Sequence, residues 1–351
     1  MPFVLSVKDT YRQAVEAASG GRNTVMYDDK GNPSIMVFIP RFNLADVIDG
    51  APASLHPAFI VNGVVKDGIW ISKYQNVIHD GRAYSLPGMN PATSMNIDAA
   101  SAACKSKGAG WHLMTNAEWA AIALWCKKNG SMPRGNNSYG KDHAATHETG
   151  RLVNPGTPDK ILTGTGPVSW SHDGTTAGIY DLNGNIHEYV DGLRLVNGKI
   201  WTHKDNDFGT DPNSLAAWVD TGVFIDNTLA GTADTTGTKA PGSMQFAGER
   251  TNAMTTLGDV DNNYSYNSQT LESMAAKNGY TVPELLKYLA IAPTAGSHGL
   301  DAIEVRNYGT RIAFRGCDWS YSSSAGVFSL NLHYPRTLTF SNVGFRSAFI
   351  G

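Results

Sequence analysis

Apolar positions recur at helical spacing in "SVKDTYRQAVEAA", which predicts a first helix. "NTVMYDDKGNPSIMVFIPRF" then alternates on both sides of Asp29-Lys30-Gly31-Asn32-Pro33, the pattern of a hairpin around a turn. These two elements define a small leading unit, residues 1–55, suited to attachment. "ADVIDGAPASLHP" reads as the linker to a main domain spanning 56–351, which opens on the alternating strand "GIWISKYQNVI".

Two helices follow. "NIDAASAACKSKG" is closed by Gly108. "TNAEWAAIALWCKKNG" starts on a capping box, Thr115 with Glu118, turns Trp119, Ile122 and Trp125 inward, and stops at Gly130. Beyond residue 130 short strands alternate with loops rich in Gly, Asn, Asp and Thr, most irregular over 203–268. "LESMAAKNGYTVPELLKYLAIAP" predicts a late helical segment. "YGTRIAFRG", "AGVFSLNL" and "VGFRSAFI" predict closing strands, with alternate side chains of the middle one facing outward.

Composition changes this picture little: it is that of a globular protein. A net charge of -3 and the lack of any Lys/Arg run argue against a nucleic-acid partner, and no apolar run reaches the length of a membrane span. The start carries no basic segment before its short apolar run, so synthesis in the cytoplasm without a signal peptide is expected. Cys104, Cys126 and Cys317 have no metal or redox spacing; the first two are expected in or beside the two helices, away from the third.

Catalytic signatures are missing: there is no nucleophile elbow, zinc-protease pair, phosphate loop or dinucleotide fingerprint. His112, His187 and His203 lie near acidic or aromatic residues and are open either to catalysis or to ordinary hydrogen bonding. "GIYDLNGNIHEYV" crowds Asp181, Asn183, Asn185 and Glu188 around a tight turn. These oxygens suit Ca²⁺, or the Asp and Asn side chains simply make the turn. "GDVDNNYSYN", 258–267, raises the same choice, and there turn formation is the expectation.

The tail, 315–351, contains no Lys, Glu, Gln or Met, although the preceding 314 residues hold 37 of them. At that frequency roughly four would be expected in the tail.

In order along the chain, "WISKYQN", "GWHLMTNAEWAAIALWC", "GIYDLNGNIHEYV", "RGCDW" and "VGFR" resemble the motifs of the formylglycine-generating enzyme family of C-type-lectin-like domains. The resemblance covers about 60–351 with a long loop-rich insertion at about 195–300. It implies an α+β, C-type-lectin-like domain with two helices on a small twisted antiparallel sheet. It also implies a structural Ca²⁺ held by Asp181, Glu188 and the carbonyls near Gly184 and Ile186. The oxidases of that family need a cysteine pair between the last two motifs. None lies between Trp319 and Gly344, so an oxidase or sulfatase-modifying enzyme is the disfavoured alternative.

A second branch of the same fold fits better. The tail resembles the variable proteins of diversity-generating retroelements, including phage receptor-binding proteins of the tropism-determinant type. In them a fixed frame alternates with positions rewritten through adenine-directed mutagenesis of Asn-type codons, which cannot yield Lys, Glu, Gln, Met or Trp. Arg315, Trp319, Gly326, Phe328, Leu330, Leu332, Arg336, Gly344 and Phe345 match the frame.

The resemblance thus implies a ligand-binding protein with a variable region at about 315–346. Asp318, Ser320, Tyr321, Ser323, Ser324, His333, Tyr334, Thr337, Thr339, Phe340 and Ser341 are expected on one solvent-facing patch. Trp319, Phe328, Leu330, Leu332 and Phe345 are expected to be buried. Tyr321, Tyr334 and Phe340 would anchor the ligand, since aromatic side chains give large contact area for few rotatable bonds. The implied partner is a host cell-surface receptor or another macromolecule, with the chain carried on a virion beside other virion proteins. An invariant virion structural protein is the remaining alternative.

Overall fold

The computed structural model describes residues 9–231, 237–255 and 265–351. The fold is α+β, as expected, but its sheets are larger than expected. One sheet has five strands in the spatial order Asn23–Tyr27, Pro33–Pro40, Gly68–Ser72, Ser347–Phe349 and Trp111–Leu113. A second sheet has ten among the described residues, built around His187–Val196, Thr310–Arg315 and Leu330–Leu332, and it mixes parallel with antiparallel pairs; two two-stranded ribbons lie apart from both.

Both predicted middle helices form, over Ile97–Lys105 and Asn116–Asn129. The capping box of the second is complete: Glu118 N–H donates to Thr115 Oγ1 at 3.2 Å, and Thr115 N–H donates to Glu118 Oε2 at 2.9 Å. The first helix, Thr10–Ser19, begins at Asp9, whose Oδ1 accepts from Arg12 N–H, and ends on Gly20 at φ 62°.

The division at residue 55 needs correction. The second strand of the leading hairpin pairs with the main domain, from Met36 opposite Ser72 to Pro40 opposite Gly68. The stretch read as a linker folds into a short helix, Leu44–Val47, and a turn, Pro57–Phe59. Val37, Ile39, Val47, Ile48 and Phe59 share one apolar cluster with Ile69, Ile71 and Trp119. The Ala and Pro of the stretch read as linker-like, yet its apolar residues close the bottom of the core.

The insertion is also more ordered than its composition implied. Lys199–Thr202, Val219–Asn227 and Met244–Ala247 extend the ten-stranded sheet on one flank, and Asn267–Thr270 extends it on the other. The flanks curl until they meet: the Gln269 side chain accepts from Met244 N–H at 2.7 Å and donates to Met244 O at 3.3 Å. The late helical segment shrinks to Glu284–Tyr288, because Gly279 and Pro283 interrupt what the apolar spacing alone would continue. Residues 258–264 of the acidic stretch at 258–267 lie outside the described residues. Among the described residues no helix is long and apolar enough to cross a membrane.

Candidate functional site

The tail is locked at intervals. Leu330–Leu332 is a central strand, parallel to Ala302–Val305 and antiparallel to Thr310–Arg315. Val343–Phe345 runs parallel to His187–Val196, and Ser347–Phe349 enters the five-stranded sheet. Arg315 is fully buried; its guanidinium donates to Asn116 Oδ1 at 2.6 and 3.0 Å and to the carbonyls of Leu289, Ala290 and Phe328. Phe328, Leu330, Leu332 and Phe345 are buried as expected. Arg336 forks onto Asp98 through Nε and Nη2 and also donates to Pro212 O.

Five positions differ from expectation. Trp319 is half-buried, with its carbonyl accepting from Tyr139 N–H. The outward alternation across "VFSLNL" is absent, because a central strand is covered on both faces: Ser329 and Asn331 are as buried as Leu330. Asp318 and His333, placed on the displayed patch, are 3% exposed. Asp318 organises its own loop, with Oδ1 accepting from Ser320 N–H and Oγ and Oδ2 accepting from Asn342 Nδ2.

Ser320, Ser323, Thr337, Thr339, Phe340 and Ser341 are exposed, while Tyr321, Ser324 and Tyr334 are half-buried. The Asn342 bond to Asp318 joins the two loops that carry them, 316–329 and 333–342. Beneath them lies a continuous layer of rings. Phe340 meets Tyr334 edge-on at 5.3 Å, and Tyr334 stacks on Phe314 at 5.5 Å and on His333 at 3.8 Å. His333 stacks in turn on Tyr266 at 4.4 Å. On the other side His187 packs edge-on against both Phe314 and Tyr321.

Glu304 ties the layer together from outside the tail. Its Oε2 accepts from Tyr321 Oη at 3.1 Å and from Asn331 Nδ2 at 2.7 Å. Burial pushes the Glu304 carboxyl and the Tyr321 phenol up. Burial, with Arg311 and Arg306 nearby, holds His333 well below its ordinary range and so neutral at pH 7. Phe314, His187 and His333 are buried, so the layer supports the loops from beneath, and of its rings Phe340 is the one that is exposed.

Sequence reasoning missed Asn331 and Asn342, although Asn between fixed points is the residue type from which Asn-type codons start. In sequence His187 stands out only as a candidate for catalysis or hydrogen bonding, and Glu304 and Tyr266 give no signal, because they come from segments remote in sequence from the loops they support.

The catalytic candidates are structural in their surroundings. His112 bonds Glu118 Oε1 at 2.9 Å and Gly110 O at 2.9 Å and stacks on Phe208. His203 is buried against Trp218 at 4.4 Å. Cys104 and Cys126 lie in the two helices, and all three cysteines are buried and free. Burial pushes the Cys104 thiol up to about 12 and raises the other two thiols as well, so none is a thiolate near neutrality.

The turn assigned to calcium is folded and most of its oxygens are met by protein groups, with Asp181 Oδ1 buried and without a hydrogen-bond partner among the described residues. Asp181 Oδ2 accepts from Gly164 N–H at 2.8 Å, and Gly184 N–H donates to Gly316 O at 2.7 Å. Burial pushes the Asp181 carboxyl up to about 6. Glu188 is forked by Arg346, Nε to Oε2 at 2.6 Å and Nη2 to Oε1 at 2.5 Å. Gln75 Nε2 lies 3.1 Å from Glu188 Oε1, 3.1 Å from Asp181 O and 3.3 Å from Ile186 O. Placed this way, Glu188 and the carbonyls of Asp181 and Ile186 meet an amide and a guanidinium where about 6–8 oxygens would gather around Ca²⁺.

No family model and no curated protein matches the chain. Solved structures similar to it include PvdO from Pseudomonas aeruginosa, at 13% identity over 93% of this chain and 97% of that one, with TM-score 0.37. The Major Tropism Determinant P3c variant is similar at 9% identity over 93% of this chain and 71% of that one, with TM-score 0.32. Treponema denticola variable protein 1 is similar at 12% identity over 93% and 98%, with TM-score 0.31.

Proposed function

We propose that the chain is a ligand-binding protein whose C-terminal surface is diversified, encoded by a phage and used to recognise a host cell-surface receptor or another macromolecule. One observation carries the reading. Within the tail, frame residues are locked by burial and hydrogen bonds, while Ser320, Ser323, Thr337, Thr339, Phe340 and Ser341 between them face solvent above a shared layer of rings. Variation is tolerable only where it avoids the core, because exposed substitutions usually shift stability by within about 0.5 kcal/mol and a core Phe truncated to Ala costs ~3–5 kcal/mol. In this reading the leading segment helps dock the chain onto a virion.

The DNA beside the gene tests it. The expected finding is a near-identical repeat of the tail coding segment, next to a reverse-transcriptase gene. Its adenines should replace other bases at codons for the exposed positions and spare those for Arg315, Gly326, Phe328, Leu330, Leu332, Gly344 and Phe345. A single copy with no repeat favours the invariant structural protein, and adenine substitutions falling on the frame codons would remove the reading altogether.

A further inference from the structure

We infer that the Asp181–Glu188 turn is held by the Gln75 amide and the Arg346 guanidinium where the resemblance puts a cation, and that it is independent of calcium. The orientation of Gln75 follows from groups with no choice of role. The backbone N–H of Ile161 can only donate, and it donates to Asn185 Oδ1 at 2.8 Å. Asn185 therefore turns its Nδ2 to Gln75, donating to Oε1 at 2.7 Å. Gln75 must then present Nε2 to the other side, where the carbonyls of Asp181 and Ile186 and the carboxylate of Glu188 converge. An amide has two protons for these three acceptors, so one proton is shared.

A calcium ion gathers 6–8 oxygens at about 2.3–2.6 Å. Here three oxygens gather around a nitrogen at hydrogen-bond distances instead, and that nitrogen carries no charge. The charge of Glu188 is answered separately by Arg346, which is fully buried and fixed further by donating to Ser72 O and Tyr180 O at 3.1 Å. A dication entering the turn would have to displace Gln75 and then sit beside a guanidinium. Removing Gln75 without replacing it would leave two buried carbonyls without their donor.

The latch also joins the two sheets at the end of the tail. Asn76, next to Gln75, donates its N–H to Phe345 O and accepts from Ser347 N–H. Gly344 lies opposite Glu188 in the parallel pair. The turn thus fixes the frame at the point where the second displayed loop returns to the sheet. The inference does not depend on what the exposed positions bind.

The full-length chain tests this by thermal melts in EGTA and in millimolar CaCl₂, with calcium titrated calorimetrically into chelator-treated protein. The wild-type midpoint should be the same in both buffers, with no saturable heat of binding. Gln75→Met keeps the bulk and removes the donor, and it should lower the midpoint by several degrees in either buffer. Gln75→Glu, which faces a second carboxylate toward Glu188 and the two carbonyls, should melt lower still in EGTA. A wild-type midpoint that falls in EGTA and is restored by Ca²⁺ overturns the inference. So does a Gln75→Met chain that melts with the wild type, and that comparison stands even where the glutamate variant fails to fold.

Discussion

The indole Nε1 of Trp119 donates to the carbonyl of Val327 at 2.7 Å, a bond between the central helix and the tail across 208 residues of sequence. Both partners are buried. The bond sets the depth at which "GVFSLNL" enters the core, and so the height at which the loops beside it emerge. Trp119→Phe keeps most of the apolar contact and removes the donor, leaving a buried carbonyl unsatisfied. The expected cost is ~1–3 kcal/mol by denaturant unfolding. A variant as stable as the wild type would show that the bond does not hold the tail.

Gly326 is fixed for a different reason. A Cβ there would lie 2.0 Å from one Asp301 carboxylate oxygen and 2.2 Å from the other. The carboxylate cannot retreat freely, because Oδ2 accepts from Phe328 N–H at 2.7 Å. Gly326→Ala should destabilise the chain by ~1–3 kcal/mol through overpacking. Ser323→Ala, three residues away and exposed, should not, and denaturant unfolding of the two variants side by side makes the comparison.

The legible part of the sequence was the part governed by local rules. The capping box at Thr115 and Glu118 and the stop at Gly130 follow from spacing and residue type, whereas the buried frame of the tail was implied by the family resemblance. What stayed hidden depends on contacts distant in sequence. Asp318 and His333 read as displayed polar residues, yet Asn342 and Tyr266 cover or engage them from other segments. The carboxylate of Glu188 read as a free metal ligand, because nothing local announces that Arg346 reaches it. The leading hairpin read as a separate unit because its partner strand begins only at Gly68.

Asp301 gives the tail a pH dependence of definite sign. Burial, with Glu272 nearby, pushes its carboxyl up to about 8, against the opposing pull of Phe328 N–H and Arg315. A carboxyl raised in the folded state favours folding fully below the unfolded value of about 4, and that contribution is lost as pH rises through the folded value. Wild-type stability should therefore decline relative to Asp301→Asn, which keeps an acceptor for Phe328 and cannot ionise. Denaturant unfolding of both chains at intervals from pH 5 to pH 9 measures the difference. A constant gap across that range would mean that Asp301 titrates in the folded state as it does in the unfolded chain.

Tyr321, Tyr334 and Phe340 do not form one class, as residue type alone implied. Tyr334 lies between Phe314 and His333 and packs on a buried cluster, and Tyr321 is tied to Glu304. Of the three, only Phe340 is exposed, at 40%. Truncating Tyr334 to Ala should therefore cost stability, roughly 1–3 kcal/mol as for a partly buried aromatic. The five-fold Ala variant at Ser323, Thr337, Thr339, Phe340 and Ser341 should behave differently. These side chains face solvent, so at about 0.5 kcal/mol each or less they should together cost no more than ~2.5 kcal/mol. Their melting and denaturant transitions should stay cooperative and close to wild type, while Tyr334→Ala melts visibly lower. The ranking matters because a surface can be rewritten only where the fold does not depend on it. If the five-fold variant unfolds and Tyr334→Ala does not, the loops support the ring layer rather than display it, and diversification there would destroy the protein that carries it.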